Sequence, residues 1–216
     1  MANYLPLYFN VEKRPILIFG GGSQAFEKIE KLRPYGCALT VAAEKVTPSI
    51  KRLGEEKKIS LIRSNGANAG ALISRLHPML VIVTDADGNS AETVFKVCKR
   101  MGVDIHTVGN QELSTFLFPS VIRRKHLSVA VSTFGEFPAA ATWIRDRIER
   151  ALPAVIDGTL GHFGELRQKL AEKASSTPGQ FASIYEDIFN AALSENRVLS
   201  PVEMAQIMGK YIDEAK

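Results

Sequence analysis

The sequence predicts an α/β fold in which a doubly wound parallel sheet comes first and is followed by a small α+β segment and a helical C-terminal region. Three observations lead to this prediction. Over residues 15–108, continuous apolar runs alternate with apolar residues at helical spacing. A glycine cluster directly follows the first apolar run. From residue 116 onward the alternation stops, and two extended runs are followed by helical patterns alone.

The composition is typical of a soluble globular protein. The 216 residues are 45% hydrophobic and 23% charged, which is enough apolar material to bury a core. No apolar run approaches the ~18 residues that span a bilayer, and residues 1–10 lack the pattern of a signal peptide, so we expect a cytoplasmic protein. The net charge of +4 comes from basic residues dispersed among acidic ones, which disfavours a nucleic-acid interface and suits an anionic small molecule.

The two cysteines predict free thiols in a reducing compartment. Cys37 and Cys98 each lie in a pattern typical of packed side chains, and neither belongs to a metal-binding motif. We therefore expect neither a disulfide nor a metal site.

The glycine cluster lies in the stretch Ile16–Ala25, which reads Ile-Leu-Ile-Phe-Gly-Gly-Gly-Ser-Gln-Ala. The four apolar residues predict a buried strand, Gly20 and Gly22 predict a tight turn, and Ala25 marks a position where a helix closes on the strand. This glycine spacing is typical of dinucleotide-binding turns, although plain strand-to-helix turns also contain it. The surrounding pattern decides between the two.

The residues around the glycines complete the unit that a dinucleotide site requires. Ala25, Ile29 and Leu32 recur at helical spacing, Pro34–Gly36 ends that helix, and Leu39–Ala43 predicts a second strand. Strand, glycine turn, helix and strand thus follow one another within about 30 residues. We predict that a pyrophosphate binds at the N-terminus of the helix, where the candidate cofactor-binding residues are Gly20, Gly22, Ser23, Gln24 and Ala25.

The remaining elements of the first half extend this unit to a Rossmann-like domain. Alternating apolar residues in Tyr4–Phe9 predict a short edge strand before it. Further strands and helices are predicted in alternation, the last of these helices capped by Asn89 or Ser90. The strands cover Ile59–Arg63, Met79–Thr84 and Val103–Val108, and the helices cover Pro48–Leu53, Gly70–Leu76 and a stretch ending near Met101.

The second half begins with a predicted hairpin. Extended runs at Phe116–Ile122 and Leu127–Thr133 flank the basic turn Arg123–His126. A helix is predicted from Pro138 to about Leu152, and a break at Ser175–Gly179 precedes two more helices. Helical spacing also recurs at Leu160, Phe163, Leu166 and Leu170, and Ser200–Glu203 reads as a capping box.

The order of these motifs resembles the precorrin-2 dehydrogenase and sirohydrochlorin ferrochelatase family, the dehydrogenase part of siroheme synthase. The resemblance covers about residues 3–155, and its Phe-Pro-Ser and Val-Ala-Val-Ser segments are more specific than the glycines. The matching segments are Leu5–Tyr8, Gly20–Ala25 with Lys28, Leu39–Ala43, Val83–Asp87, Phe116–Ser120 and Leu127–Thr133 with Pro138.

The resemblance implies a three-part protein that binds NAD. Residues 1–112 would be a Rossmann domain for NAD, residues 113–152 a homodimerisation segment, and residues 153–216 a helical domain that closes over a tetrapyrrole. The implied reaction is NAD-dependent dehydrogenation of precorrin-2 to sirohydrochlorin, with iron insertion in some members. Because no methyltransferase domain follows, the chain resembles the stand-alone form.

One position departs from the family pattern. Where members carry an aspartate that is assigned to both activities, this sequence has Gly109. A glycine side chain neither accepts a proton nor binds a metal ion. We therefore expect dehydrogenation, for which the cofactor supplies the difficult chemistry, without ferrochelatase activity. The alternatives are a catalytically impaired tetrapyrrole-binding or regulatory protein on the same fold, and a dinucleotide-sensing module.

Polar residues that follow the predicted strands are the other cofactor candidates. Glu44 follows the second strand and would accept hydrogen bonds from ribose hydroxyls, whereas Lys45 beside it would favour a 2′-phosphate; we expect NAD. The alternative is a solvated Glu-Lys pair. Thr84, Asp85 and Asp87 either line the nicotinamide side of the crevice or form a turn and helix cap.

The catalytic residue is not identified by the sequence. His106, in a predicted strand near Gly109, is the nearest titratable candidate, and a packed, half-buried histidine is the alternative. Ser120, Arg124 and His126 are candidate substrate-binding residues, because a basic turn would attract the carboxylates of precorrin-2. The alternative is a solvated turn.

Overall fold

The chain divides into two units, Met1–Phe118 and Pro119–Lys216. The computed structural model describes residues 4–84, 88–163 and 178–213. Each unit has its own hydrophobic core. The three-part division with boundaries after residues 112 and 152 stays a prediction.

A five-stranded parallel sheet forms the centre of the first unit, in the order β3-β2-β1-β4-β5. Phe19, the last residue of β1, is paired with Ala42 of β2 on one side and with Val83 of β4 on the other. The carboxyl ends of these three strands therefore meet at one edge of the sheet, where the strand order reverses. The strands are β1 (Pro15–Phe19), β2 (Ala38–Ala42), β3 (Ser60–Ile62), β4 (Leu80–Val83) and β5 (Asp104–Thr107).

Helices cover both faces of this sheet because its strands β1 and β4 are apolar at every position. Leu17 and Phe19 of β1 pack on one face with the third and fourth helices, and Ile16 and Ile18 pack on the other face with the first two. Each fully buried aliphatic side chain contributes ~1.5–3 kcal/mol. The helices are α1 (Ser23–Leu32), α2 (Pro48–Glu55), α3 (Ala69–Leu76) and α4 (Gly88–Met101), with 3₁₀ turns at Arg33–Tyr35 and Gly66–Asn68.

The second unit consists of an antiparallel hairpin and helices. Strands β6 (Ser120–Arg123) and β7 (Ser128–Val131) pair around the basic turn. The helices are α5 (Pro138–Ala151), α6, whose described part covers residues 156–163, α7 (Pro178–Ser194) and α8 (Pro201–Asp213). Ile184 and Ile188 of α7 and Met204 of α8 are buried together with Val155. The predicted capping box is present, because the Glu203 N–H donates to Ser200 Oγ and the Ser200 N–H donates to Glu203 Oε2.

The predicted fold class is confirmed, and most element boundaries fall within two residues of the prediction. The prediction of an edge strand at Tyr4–Phe9 is wrong. Leu5 and Leu7 are 76% and 61% exposed, so the alternation of this segment buries no face. The strand predicted from Phe116 begins only at Ser120.

Two details of the helices also differ from expectation. The predicted cap at Asn89 or Ser90 is wrong, because α4 already begins at Gly88. The predicted break at Ser175–Gly179 is overlapped by α7, which begins at Pro178 as a helix often begins at proline. Leu166, Leu170 and residues 175–177 lie outside the described residues.

The free thiols predicted from the sequence are observed. Cys98 is buried and Cys37 is half-buried. Burial raises the pKa of the Cys98 thiol to about 12, so this side chain behaves as a small apolar residue. Among the described helices, none is both long enough and apolar enough to cross a membrane.

Candidate functional site

The glycine turn lies directly beyond the carboxyl end of β1. Gly20 has a φ of 122°, a value that an L side chain rarely adopts, and its N–H donates to the Ala42 carbonyl at 3.1 Å. The turn is thereby attached to the end of β2 as well as to β1. Helix α1 begins three residues later, at Ser23. The polypeptide thus reverses at the edge of the sheet where ligands of such folds bind.

Gly21 brings the segment after β2 into contact with this turn. A Cβ atom at Gly21 would lie 2.0 Å from the Lys45 carbonyl oxygen and 3.0 Å from Ala43 Cβ. The Thr47 N–H also donates to the Gly21 carbonyl at 2.9 Å. The sequence-based prediction singled out Gly20 and Gly22 and missed this contact. The glycine between Gly20 and Gly22 was the signal that could have indicated it.

The N-terminus of α1 has no side-chain cap. Gly22 occupies the N-cap, and the first helical hydrogen bond runs from the Phe26 N–H to the Gly22 carbonyl at 3.1 Å. The N–H groups of Ser23, Gln24 and Ala25 therefore have no acceptor within the helix, and its first turn contains no acidic residue. Such a helix start attracts an anion. The chemistry of these donors fits a dinucleotide diphosphate.

The predicted contributions of the first helical turn differ from residue to residue. Ser23 and Gln24 are exposed. Ala25 is fully buried and packs in the core with Ile29 and Ile18. Only the backbone of Ala25 is therefore available to a ligand, while its side chain holds α1 against the sheet.

Glu44 lies two residues after β2 and is exposed. Its Oε1 accepts a hydrogen bond from Asn65 Nδ2 at 2.9 Å. Lys45 is exposed as well, so ribose recognition and a solvated Glu-Lys pair both stay open at this position. A carboxylate at this strand end is where a ribose of a dinucleotide would be recognised.

Thr84 is buried directly after β4. Its N–H and its Oγ1 both donate to the Phe19 carbonyl, at 2.9 and 3.2 Å. This residue therefore joins the end of β4 to the start of the glycine turn. Asp85 and Asp87 lie outside the described residues, and their role stays a prediction.

His106 is half-buried in β5, opposite Ile82 of β4. Its Nδ1 lies 3.2 Å from the Phe116 carbonyl, and its ring packs against the rings of Phe116 and Phe118. Burial, and secondarily the nearby Lys28 ammonium, lowers the pKa of His106 to about 4. The imidazole is therefore neutral at pH 7. These contacts agree with the alternative interpretation of His106 as a packed, half-buried side chain. A catalytic role for His106 stays a prediction.

Lys28 completes this cluster from α1. Its Nζ lies 4.6 Å from the centroid of the Phe118 ring, a distance typical of a cation–π contact. Burial is the main reason why its pKa lies below the ordinary value.

Gly109 lies in an exposed turn after β5. Its φ is 76°, and nothing lies within 4 Å of the position that a Cβ would occupy. A side chain would have room there, while the left-handed backbone would cost an L residue ~1–2 kcal/mol. Across the described residues, no group of three or more His, Cys, Asp or Glu side chains is arranged to hold a metal ion.

The predicted substrate-binding residues lie in the second unit, on or beside the hairpin. Ser120 is paired with Val131 across the two strands. Arg124 donates from its N–H to the Leu127 carbonyl and from its guanidinium to the Pro153 carbonyl. The His126 N–H donates to Asp157 Oδ1 at 2.7 Å. The basic turn is therefore held in place by Pro153, which precedes α6, and by Asp157 in the first turn of α6, and its binding role stays a prediction.

Comparison with protein families identifies a match over most of the first unit. A family model described as "Putative NAD(P)-binding" matches residues 7–120, which is more than half of the chain. The matched residues include the glycine turn, Glu44, Asn65 and the whole parallel sheet.

Curated relatives and a solved structure resemble the chain over nearly its whole length. The siroheme synthase of Methylobacillus flagellatus is 31% identical over 204 residues, which are 93% of this chain and 42% of that protein. The siroheme synthase of Neisseria meningitidis serogroup C is 28% identical over 98% of this chain and 43% of that protein. The chain thus spans less than half the length of these relatives. The structure of "SirC, precorrin-2 dehydrogenase" has a TM-score of 0.72 at 18% identity, covering 97% of this chain and 100% of that chain, and therefore shares its fold.

Gly21→Ala tests the close approach between the glycine turn and the segment after β2. The added methyl group would lie 2.0 Å from a backbone oxygen, so the turn must shift. We expect a loss of ~1–3 kcal/mol of stability, as for overpacked sites, and at least a tenfold weaker dinucleotide affinity. Chemical denaturation and calorimetric titration measure the two effects.

Gly70→Ala is the matched control for this variant. The nearest heavy atom to its added methyl group is Val97 Cγ1 at 4.0 Å, and Gly70 lies within α3. We expect unchanged affinity and a stability equal to or up to ~1 kcal/mol above the wild type. Equal losses in the two variants would contradict the proposed contact.

The low pKa of His106 predicts a pH-dependent stability. Because the folded-state pKa is about 4 and the ordinary value is 6.5, the unfolded chain binds the proton more readily. The stability associated with neutral His106 is present above pH 6.5 and decreases as the pH falls towards 4. We expect His106→Asn, which keeps a donor for the Phe116 carbonyl, to lose less stability than the wild type between pH 7 and pH 5.

Denaturation midpoints at several pH values measure this difference. His77→Asn is the control, because His77 is exposed and its positive φ of 44° suits asparagine. We expect this control to follow the wild-type pH dependence. A His106→Asn profile parallel to that of the wild type would show that His106 does not carry the effect.

Proposed function

Because the chain belongs to the family of NAD(P)-binding domains whose model spans residues 7–120, we propose that it oxidises precorrin-2 to sirohydrochlorin with NAD in siroheme biosynthesis. The family resemblance predicted from the sequence is confirmed by the siroheme synthase relatives. The family also indicates a nicotinamide dinucleotide as cofactor. The reaction itself is inferred from relatives that are more than twice as long as this chain.

The observation that carries the proposal is the uncapped start of α1 beside the glycine turn. The free N–H groups of its first turn would hold the diphosphate, and the Glu44 carboxylate would accept hydrogen bonds from the ribose. When bound, the dinucleotide supplies the hydride acceptor that the oxidation requires. Thr84 would support the nicotinamide side through its bonds to the Phe19 carbonyl.

The substrate carboxylates would be bound by the basic turn between β6 and β7. Arg123, Lys125 and His126 are exposed there, and Arg124 is fixed by its bond to the Pro153 carbonyl. Cations that are held in place bind carboxylates with less loss of side-chain freedom than mobile ones. Ser120 lies at the start of β6 and completes the proposed set.

The chain would not insert iron. Gly109 provides no ligand or base, and the residues that the structure describes contain no metal-binding cluster. Precorrin-2 oxidation would not require a carboxylate at this position, because the dinucleotide would accept the hydride and water would accept the proton that leaves with it. The product sirohydrochlorin would then pass to a separate chelating activity.

The protein would act as a homodimer in the cytoplasm. Phe134, Phe137 and Trp143 of the second unit are 48%, 63% and 57% exposed. Exposed aromatic side chains that are close in the sequence often mark a protein–protein interface. They lie in the segment for which the family resemblance implies dimerisation.

A second candidate function is a tetrapyrrole-binding or regulatory protein that has lost catalysis. The glycine at position 109 favours it, because the site lacks the carboxylate associated with chemistry in the family. Both candidates bind a dinucleotide and a tetrapyrrole. They differ in whether the bound pair reacts.

Anaerobic incubation of the chain with precorrin-2 and NAD tests the proposal. We expect sirohydrochlorin and NADH to form in equal amounts, and we expect no siroheme when ferrous iron is added. Absorbance spectra of the tetrapyrrole and of NADH measure both reactions. Tight binding of NAD and precorrin-2 without any NADH would contradict the enzyme and support the binding protein.

Gly109→Asp separates the two candidates further. The exposed turn has room for the side chain, and aspartate tolerates a positive φ better than most residues. An inactive wild type together with an active Gly109→Asp variant would support lost catalysis. We expect instead that the wild type is active without the aspartate.

A further inference from the structure

The side chain of Asn65 forms two hydrogen bonds in different directions. Its Oδ1 accepts from the Ala67 N–H at 3.1 Å and so caps the 3₁₀ turn Gly66–Asn68. Its Nδ2 donates to Glu44 Oε1 at 2.9 Å. Because a backbone N–H requires an acceptor, the cap fixes which end of the amide faces the carboxylate. The turn after β3 thereby presents an N–H donor to the end of β2.

Glu44 belongs to a segment that is attached to the glycine turn. The Lys45 carbonyl is in contact with Gly21, and the Thr47 N–H donates to the Gly21 carbonyl at 2.9 Å. The Thr47 side chain also accepts from the Ile50 N–H at the start of α2. The backbone on both sides of Glu44 is therefore fixed relative to the proposed diphosphate site. The side chain itself is exposed, and Asn65 is its hydrogen-bond partner among the described residues.

The orientation of the Glu44 side chain would decide whether its carboxylate or the neighbouring Lys45 ammonium lies beside the adenosine ribose. With Oε1 bound to Asn65, Oε2 remains available to accept from a ribose 2′-hydroxyl, as in NAD. The 2′-phosphate of NADP would be placed against the same carboxylate and repelled. Lys45 is the neighbouring charge of opposite sign and is exposed. If Glu44 rotated away, the lysine would be left to attract the phosphate.

We propose that Asn65 is a positioning residue that makes this site select NAD over NADP, by holding the Glu44 carboxylate towards the adenosine ribose. The inference rests on the proposed dinucleotide function and adds the origin of its cofactor preference. Asn65 acts through Glu44 and need not touch the cofactor. Its contribution therefore disappears when Glu44 is absent.

Asn65→Ser is the direct test, because serine keeps a cap acceptor for the Ala67 N–H and removes the donor to Glu44. Dissociation constants of the full chain for NAD and for NADP are measured by calorimetry at one ionic strength. We expect the wild type to bind NAD more tightly than NADP. In the variant, we expect the ratio of the NADP to the NAD dissociation constant to fall about tenfold, which corresponds to ~1.4 kcal/mol. An unchanged ratio in a variant with wild-type thermal stability would overturn the inference.

Asn68→Ser is the matched control. Asn68 lies in the same 3₁₀ turn, and its amide donates to Ser64 Oγ at 3.3 Å, not to Glu44. We expect this variant to keep the wild-type ratio. A similar loss of preference would show that disturbance of the turn is sufficient, which contradicts a specific role for Asn65.

A double-mutant cycle with Glu44→Ala separates positioning from a merely structural role. In the Glu44→Ala background, Asn65→Ser should leave the ratio of the two dissociation constants unchanged. The same tenfold effect without Glu44 would overturn the inference. This comparison holds even when Asn65→Ser lowers stability, because both backgrounds carry the same altered turn.

The binding measurements on the wild type distinguish a failure of this inference from a failure of the proposed function. A wild type that binds NADP at least as tightly as NAD overturns the role of Asn65 and leaves dinucleotide-dependent oxidation intact. A wild type that binds neither dinucleotide overturns the proposed function and this inference together.

Discussion

The contact between Gly21 and the Lys45 carbonyl is the constraint on which the rest of the candidate site depends. It brings the end of β2 against the turn that follows β1, and the hydrogen bond from the Thr47 N–H holds it there. The uncapped N-terminus of α1 and the Glu44 carboxylate thereby lie on two segments that contact each other. In the proposed function, anion binding and ribose recognition would then depend on one rigid arrangement, which would hold the donors and acceptors for a cofactor in place before it binds.

The parallel sheet supplies the rigidity that this arrangement needs. Its central strands bury side chains on both faces, with Leu17 and Phe19 on one side and Ile16 and Ile18 on the other. Such a sheet cannot shift by one residue without exchanging its two buried faces. Thr84 also fixes the end of β4 relative to β1, because its hydroxyl donates a hydrogen bond to the carbonyl of Phe19, the last residue of β1. The edge at which the three strand ends meet is therefore well defined.

Much of this fold could be predicted from the sequence, because apolar period and turn chemistry are local properties. The strand from Pro15, the helix after the glycines, the hairpin and the capping box at Ser200 all follow from residues close to one another in the chain. The contact of Gly21 with Lys45 and the bond between Asn65 and Glu44 could not be predicted in the same way. Each joins residues about 20 positions apart, and only the pairing of β1, β2 and β3 brings them together.

Local sequence patterns were insufficient in two places. They predicted a strand at Tyr4–Phe9 that does not form, and they left the role of His106 open. An alternating segment predicts a strand only if another strand accepts its hydrogen bonds and a core accepts one of its faces, and Leu5 and Leu7 remain exposed. A lone histidine leaves its role open until its surroundings are known, and here two phenylalanine rings and a carbonyl surround it. Neither outcome was encoded in the spacing of neighbouring residues.

We propose that the N-terminus of α1 binds the diphosphate of a dinucleotide. A titration of the isotope-labelled chain with NAD tests this binding site, with the amide resonances followed in two-dimensional nitrogen–proton NMR spectra. We expect the largest saturable shifts at the amides of Ser23, Gln24 and Ala25, with smaller ones near Glu44. Shifts confined to other parts of the chain, or none at millimolar NAD, would contradict it.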